Sequence, residues 1–475
     1  MDLQQLAFAP LRGQEIPMYL QLHHRYRDAI TSGQLQPGDR VPSVRSLASE
    51  LNLARGTVEL AYQMLTSEGY LQARGPAGCF VSPSLGAFSS PSPLHASAHA
   101  PQALHRLTAA SATRPLQLGL PALDAFPRKT WTRLLSRNAR SLDLAGMAYP
   151  DPAGHARLRQ AIATYLGIAR GIACAPEQVF VTAGYRGALE LICRTLLHTG
   201  DTGWLEEPGY LFARQFLQRA GMQLAAVPVD AEGLNVAQGL RLAPQARFAV
   251  LTPTHQSPMG MALSLPRRLE LLEWARQRQA WIIEDDYDSE FRYHGRPLPA
   301  LKSLDHHGHV LYSGTFSKVL FPGLRLAYLV VPTGQIKHFQ DAAQHLPGPG
   351  ALLQQATVAD FMEQGHFARH LRKMRALYAV RRGDLVQALE QVFGPSLQIQ
   401  PQAGGIHVLA RLAQEVDGQA WAAAAQAQGL AVQALSDWCQ HPPAQDGLLM
   451  GFTNIASPQA AQELALRLHD ALAPA

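Results

Sequence analysis

The sequence predicts an α/β protein in two parts. An N-terminal winged helix-turn-helix precedes a large, mostly parallel sheet domain that ends in a smaller C-terminal α/β domain. Three observations carry this expectation. Short amphipathic helices and a hairpin pattern fill residues 1–81. A stretch dominated by Ser, Pro and Ala, residues 82–113, lacks sustained periodicity and reads as a linker. Beyond it, short apolar runs alternate with helical patterns, the rhythm of a parallel sheet covered on both faces.

In the first segment, a helix opening near Pro17-Met18 places Leu22, Tyr26 and Ile30 at helical spacing and stops at Gly33. Pro37-Gly38-Asp39 is a turn. Pro42-Ser43 starts a second helix with Val44, Leu47, Ala48 and Leu51 on one face, ending at Asn52. A third begins at Ala54-Arg55, turns Val58, Tyr62 and Leu65 inward and closes at Glu68-Gly69. Residues 70–74 and 79–81, joined through Gly75-Pro76-Ala77-Gly78, form a two-stranded wing. Residues 1–81 hold seven basic and seven acidic side chains, so charge alone does not mark a nucleic-acid reader. A three-helix protein-binding module fits the same pattern.

The linker, as a flexible coil of about thirty residues, spans roughly 30 Å root-mean-square and up to ~100 Å when stretched. A chain of 475 residues holds roughly three units of about 150 residues each. The body is therefore expected over 114–475, with its small subdomain from about residue 340. Hydrophobic content of 47% supports a large core, and a net charge of +5 is mild. No apolar run approaches the ~20 residues that span a bilayer. Asp2 and the lack of an apolar leader point to a cytoplasmic protein. Cys79, Cys174, Cys193 and Cys439 lack CxxC spacing and are expected to be reduced thiols. His306, His307 and His309 crowd one turn without completing a metal-ligand pattern, so no metal is expected.

Chemistry concentrates at two strand ends. The apolar run 309–312 breaks into Ser313-Gly314-Thr315-Phe316-Ser317-Lys318, followed by a second apolar run from Leu326 to Val331. A lysine in apolar surroundings has a lowered pKa and suits attack on an aldehyde, while Thr315 and Ser317 can hold a phosphate. The alternative is an ordinary loop lysine. Upstream, Trp281-Ile282-Ile283-Glu284-Asp285-Asp286-Tyr287 is a buried-strand pattern ending in acids and a phenol. Pyridoxal phosphate (PLP) needs an acid at its ring nitrogen and a phenol beside its ring oxygen. A metal site or a plain strand end fits the same residues. Strand 179–182 runs through Ala183-Gly184-Tyr185-Arg186 into a helix, and such a turn can cradle a phosphate.

These stretches together resemble fold-type-I aminotransferases. The wording Glu284-Asp285-Asp286-Tyr287-Asp288-Ser289-Glu290-Phe291-Arg292-Tyr293 resembles one branch, the MocR/GabR family of transcription regulators. The N-terminal wording is similar to the GntR family: Pro37-Gly38, Pro42-Ser43-Val44-Arg45, Arg55-Gly56-Thr57-Val58 and Glu68-Gly69-Tyr70. The resemblance implies a PLP-binding regulator rather than an enzyme, acting as a homodimer on double-stranded DNA. It implies Lys318 as the cofactor lysine, Asp285 at the ring nitrogen and Tyr287 at the ring oxygen. Tyr210 would stack on the ring and Arg325 close on the phosphate. Ser43, Arg45, Arg55 and Thr57 would touch DNA, with Gly78 letting the wing approach the minor groove. Residues 403–408 and 447–452 resemble the small aminotransferase domain.

Several positions depart from the pattern. Ala54 replaces the serine usual before the recognition helix. His255-Gln256-Ser257-Pro258 stands where aminotransferases carry an asparagine. Leu449 and Phe212 occupy the two places where relatives put carboxylate-binding arginines, and neither can make charge-assisted bonds. PLP itself, or an uncharged or larger amine, is therefore the expected signal. The competing reading is a working aminotransferase with an N-terminal interaction module.

Overall fold

The computed structural model describes residues 16–83 and 113–472, apart from 145, 294, 296, 297, 349, 414 and 415. They fall into two compact units, one on each side of the expected linker, which itself lies almost wholly outside the described residues.

The first unit comprises α1 (Met18–Thr31), α2 (Val44–Glu50), α3 (Arg55–Ser67) and the antiparallel strands β1 (Leu71–Ala73) and β2 (Cys79–Val81). Leu22, Tyr26, Ile30, Leu47, Val58, Tyr62 and Leu65 meet in one core, as their spacing predicts. The Tyr62 hydroxyl donates to the Pro42 carbonyl at 3.0 Å and lies 3.2 Å from the Tyr26 hydroxyl. One phenol thereby ties three segments together. Ser43 caps α2 by accepting from the Ser46 N–H at 3.1 Å, whereas α3 starts on Ala54 with no side-chain cap.

The second unit is built on eight strands. In chain order they are β3 (Val179–Thr182), β4 (Thr202–Glu207), β5 (Gln223–Asp230), β6 (Gly233–Leu234), β7 (Phe248–Leu251), β8 (Trp281–Asp286), β9 (Val310–Thr315) and β10 (Ala327–Val330). Their order in space is β3-β10-β9-β8-β7-β4-β5-β6. β5, β4, β7, β8 and β9 run parallel, while β10 is antiparallel to both β9 and β3. β3 therefore points the same way as β9, and the carboxyl ends of six strands gather at one edge, where α/β sheets bind ligands.

β9 continues three residues past the expected apolar run. A Cβ on Gly314 would sit 2.3 Å from the Tyr328 ring, so the glycine lets β10 pack against this extension. The 28-residue helix His366–Phe393 leads to a four-stranded antiparallel sheet. Its strands are β11 (Leu397–Ile399), β12 (His407–Leu412), β13 (Gln433–Ala434) and β14 (Gly447–Gly451). The four cysteines are free, and among the described residues no helix is long and apolar enough to cross a membrane.

Candidate functional site

A cavity of about 370 Å³ lies at the carboxyl edge of the large sheet. Lys318, Asp285, Tyr287, Tyr210, Arg325, Thr315, Ser317, Gly184, Tyr185 and Arg186, all read from the sequence, line it together. Just beyond β9, Lys318 donates from Nζ to the Gly119 carbonyl at 2.9 Å. Burial lowers its pKa, opposed by the carboxylates of Asp288 and Asp285, which favours the neutral, nucleophilic amine. Gly119 has φ 75°, which favours glycine, and a Cβ there would lie 2.4 Å from that nitrogen and push the amine aside.

Strand alternation sorts the three acids of β8. Glu284 accepts from the Leu301 and Lys302 N–H groups at 2.8 Å each. Asp286 meets Arg170 at 2.6 Å and accepts from the Tyr312 hydroxyl at 2.6 Å. Asp285, between them, faces the cavity. Burial pushes Asp285 up to about 8, Asp286 and Glu206 add to the rise, and the Tyr185 hydroxyl and Lys318 oppose it. A buried carboxyl so placed calls for a cationic partner.

The two ends of the cavity differ. At one, the helix Tyr185–Leu196 starts from Gly184 at φ 79°; the Gly187 N–H already donates to the Gly184 carbonyl at 3.0 Å, while those of Tyr185 and Arg186 lie ahead of the first intrahelical bond. The Arg325 guanidinium lies 3.6 Å from where a Gly184 Cβ would be, an ordinary contact distance, so it is the positive φ that favours glycine here. Thr315 Oγ1 accepts from the Ser317 N–H at 3.1 Å. These groups make an anion cradle. At the other end, Phe212, Ile406, Trp438 and Leu449 supply an apolar wall. Tyr210 bridges the ends, its ring centroid 6.0 Å from Tyr185, 5.6 Å from Phe212 and 5.9 Å from Trp438. The Arg186 guanidinium lies over the Phe212 ring at 5.3 Å.

Comparison with known proteins assigns both parts of this arrangement. The family model of bacterial regulatory proteins of the gntR family matches residues 18–81, and that of class I and II aminotransferases matches residues 127–439. The "Probable rhizopine catabolism regulatory protein MocR" of Rhizobium meliloti is 37% identical over 454 residues, covering 94% of this chain and 92% of that one. This chain is a MocR-type transcriptional regulator of the GntR family. Other members include the pyridoxine biosynthesis transcriptional regulator PdxR of Corynebacterium glutamicum, 33% identical over 94% of both chains. TauR of Rhodobacter capsulatus is 34% identical over 81% of this chain and 82% of that one. Among solved structures, the kynurenine aminotransferase of Pyrococcus horikoshii superposes with a TM-score of 0.70 at 27% identity, covering 81% of this chain and 96% of that one. The multiple substrate aminotransferase of Thermococcus profundus gives 0.69 at 27% identity, covering 79% and 95%.

In the reader of this MocR-type regulator, Arg45 on α2 and Arg55 at the start of α3 are both exposed. Neither forms an ion pair among the described residues. Ser43 spends an acceptor lone pair on its cap, which leaves its O–H free to donate. Thr57 is half-buried in the first turn of α3. Gly78, at φ 104°, sits in the wing beside Arg40, whose Nε is 3.4 Å from where a Cβ would be. Sequence reasoning passed over Arg40, which pairs with the wing through a bridge to Phe80. It also missed His407, Gln433 and Trp438 as cavity walls, because only the tertiary fold brings the small sheet to them.

Proposed function

We propose that this chain binds PLP in its aminotransferase-like cavity, reads operator DNA as a homodimer through its winged helix, and uses the cofactor site as a receptor rather than for turnover. The donor set fits the group: Lys318 for the aldehyde, Asp285 for the ring nitrogen, Tyr287 for the ring oxygen and Tyr210 for the ring face. The Gly184–Arg186 turn, Thr315, Ser317 and Arg325 would take the phosphate. Bound PLP supplies an aldehyde that captures amines. The observation that carries the receptor reading is the apolar end of the cavity, where Leu449 is fully buried and cannot hold a carboxylate. PLP itself is then the favoured signal, which agrees with the name of the PdxR relative. A second reading rests on Arg186, whose guanidinium beside Phe212 could take the acid group of an amine effector.

The test strips PLP, titrates it back and measures operator binding, with and without GABA, taurine and alanine. The PLP reading expects different DNA affinities for the apo and loaded forms, a 100-fold change corresponding to roughly 2.7 kcal/mol of coupling. Equal affinities, with a response to one amino acid, would transfer the role to Arg186 and an acidic amine. Steady turnover of an amino donor with a keto acid would instead support the enzyme.

A further inference from the structure

We propose that His255 and Asp288 are positioning residues that hold Tyr287 as a hydrogen-bond donor aimed into the cavity, an inference that rests on the cofactor-binding reading. His255 Nδ1 lies 3.0 Å from the Tyr287 hydroxyl and 3.1 Å from Asp288 Oδ1. His255 is 7% exposed and Asp288 1%. An ionised carboxylate can only accept, so Asp288 requires the ring proton on Nδ1. That N–H is shared between two acceptors, the carboxylate and the phenol oxygen. The phenol oxygen also has a hydrogen bond with the Ser257 side chain, which can donate to it; the phenol's own proton then has no role at the imidazole and is left for the cavity, which Tyr287 and Ser257 both line. In the opposite tautomer Tyr287 would spend its proton on Nδ1, and Asp288 would face a lone pair.

Two further observations favour the same tautomer. His255 Nε2 is buried without a hydrogen-bond partner among the described residues. A bare lone pair there is tolerated more readily than a bare N–H. The ring is also seated by shape: a Cβ on Gly405, at φ 93°, would lie 2.3 Å from His255 Cε1. Other titratable groups that act on this cluster are His407 on β12, 5.9 Å between ring centroids, Tyr293, whose phenol feels Asp288, Lys318 and Asp285 in the cavity wall, and Glu206. His407 is held neutral by burial, which lowers it to about 4, and its Nε2 lies 3.0 Å from the Pro258 carbonyl. It therefore does not compete as a charge.

The experiment uses the full chain loaded with PLP and follows the visible absorbance of the bound cofactor against pH. A donor to the ring oxygen stabilises the deprotonated form, so losing it raises the transition midpoint. Asp288→Asn offers an N–H to Nδ1 and turns the ring to the other tautomer. Its midpoint should rise as in Tyr287→Phe, the double variant should match Tyr287→Phe alone, and PLP affinity should fall about tenfold in each. An unmoved midpoint in Asp288→Asn, or a shift that adds to that of Tyr287→Phe, overturns the proposal. Ring-nitrogen NMR shifts in the PLP-free protein judge the tautomer independently: Nδ1–H supports it and Nε2–H overturns it. A wild type with no absorbance band would defeat the cofactor reading, leaving that measurement to decide the His255–Asp288 arrangement.

Discussion

In the reader, Arg45 and Arg55 stand exposed, without an ion pair among the described residues. In the body, Arg170 and Asp286 meet at 2.6 Å with only 3% of each side chain exposed. The exposed arginines contribute little to the fold and are free for a ligand. The buried pair is locked into the structure, because removing one partner strands the other in a dry interior. Recognition and stability are therefore separable in the reader. In the body they run along one strand, where Asp285 faces the cavity and Asp286 the core behind it.

The largest expected effect is all-or-none. Lys318→Ala should abolish both the visible absorbance of bound PLP and the adduct trapped by borohydride. A trapped adduct on Lys302 would break the assignment; that amine is buried and bonded to the Val310 carbonyl. Next come the neighbouring acids. Asp286→Ala should destabilise the body by about 3–5 kcal/mol in denaturant titration, the usual loss from a halved buried pair. Asp285→Ala should not destabilise the PLP-free protein, and near neutral pH should stabilise it by removing a buried acid, while weakening PLP retention. Reversed outcomes would mean that the two faces of β8 have been exchanged.

The sequence carried the cavity residues wherever a local signal existed. Lys318 follows a strand through hydroxyl-bearing residues, Gly184 opens a helix, and Arg325 stands seven residues after the lysine. Each is a short-range pattern with a physical reason. Three acids in a row said that one must face away from the other two, but not which one pairs with a cation. That depended on Arg170, more than a hundred residues upstream and brought in by helix–sheet packing. The reversed direction of β10 was equally hidden, since an apolar run does not record the direction of its neighbours. His255 was visible only as a departure from a family pattern; its contact with Asp288 needed the loop after β8 in place.

On the reader side, Arg45→Ala and Arg55→Ala should each cost about 1–3 kcal/mol of specific DNA binding where the contact is to a base. Neither should alter the thermal midpoint or PLP absorbance. This is the reverse of the Asp286→Ala outcome and sharpens the contrast between the two regions. Unchanged gel shifts in both variants would favour a protein-binding role for the winged helix.

The smallest expected effect is a pH dependence confined to the body. Burial raises Asp285 to about 8 and Glu206, Glu284 and Glu290 each to about 7. All four exceed the value of an unfolded carboxyl, so the native body keeps protons that the unfolded chain has released. Below about pH 6.5 the body histidines His155, His366, His370 and His407, whose pKa values burial lowers, act in the opposite sense; between about pH 6.5 and about pH 8 these carboxyls keep protons that the unfolded chain has lost, and they lower stability as pH rises through that window. In the reader, burial raises the phenols Tyr26 and Tyr62, which titrate far above that range. Hydrogen exchange in the PLP-free protein, read separately for α1–α3 and for the helices flanking the large sheet, should show faster body opening toward pH 8 after correction for intrinsic exchange. The reader should not change in step. Asp285→Asn should flatten the upper part of the body's slope, between about pH 7 and about pH 8, because only Asp285 still holds its proton there. Bound PLP should flatten the same part, since a cation at the ring nitrogen would compensate the Asp285 charge. Equal slopes in reader and body would remove the contrast between exposed and buried charge.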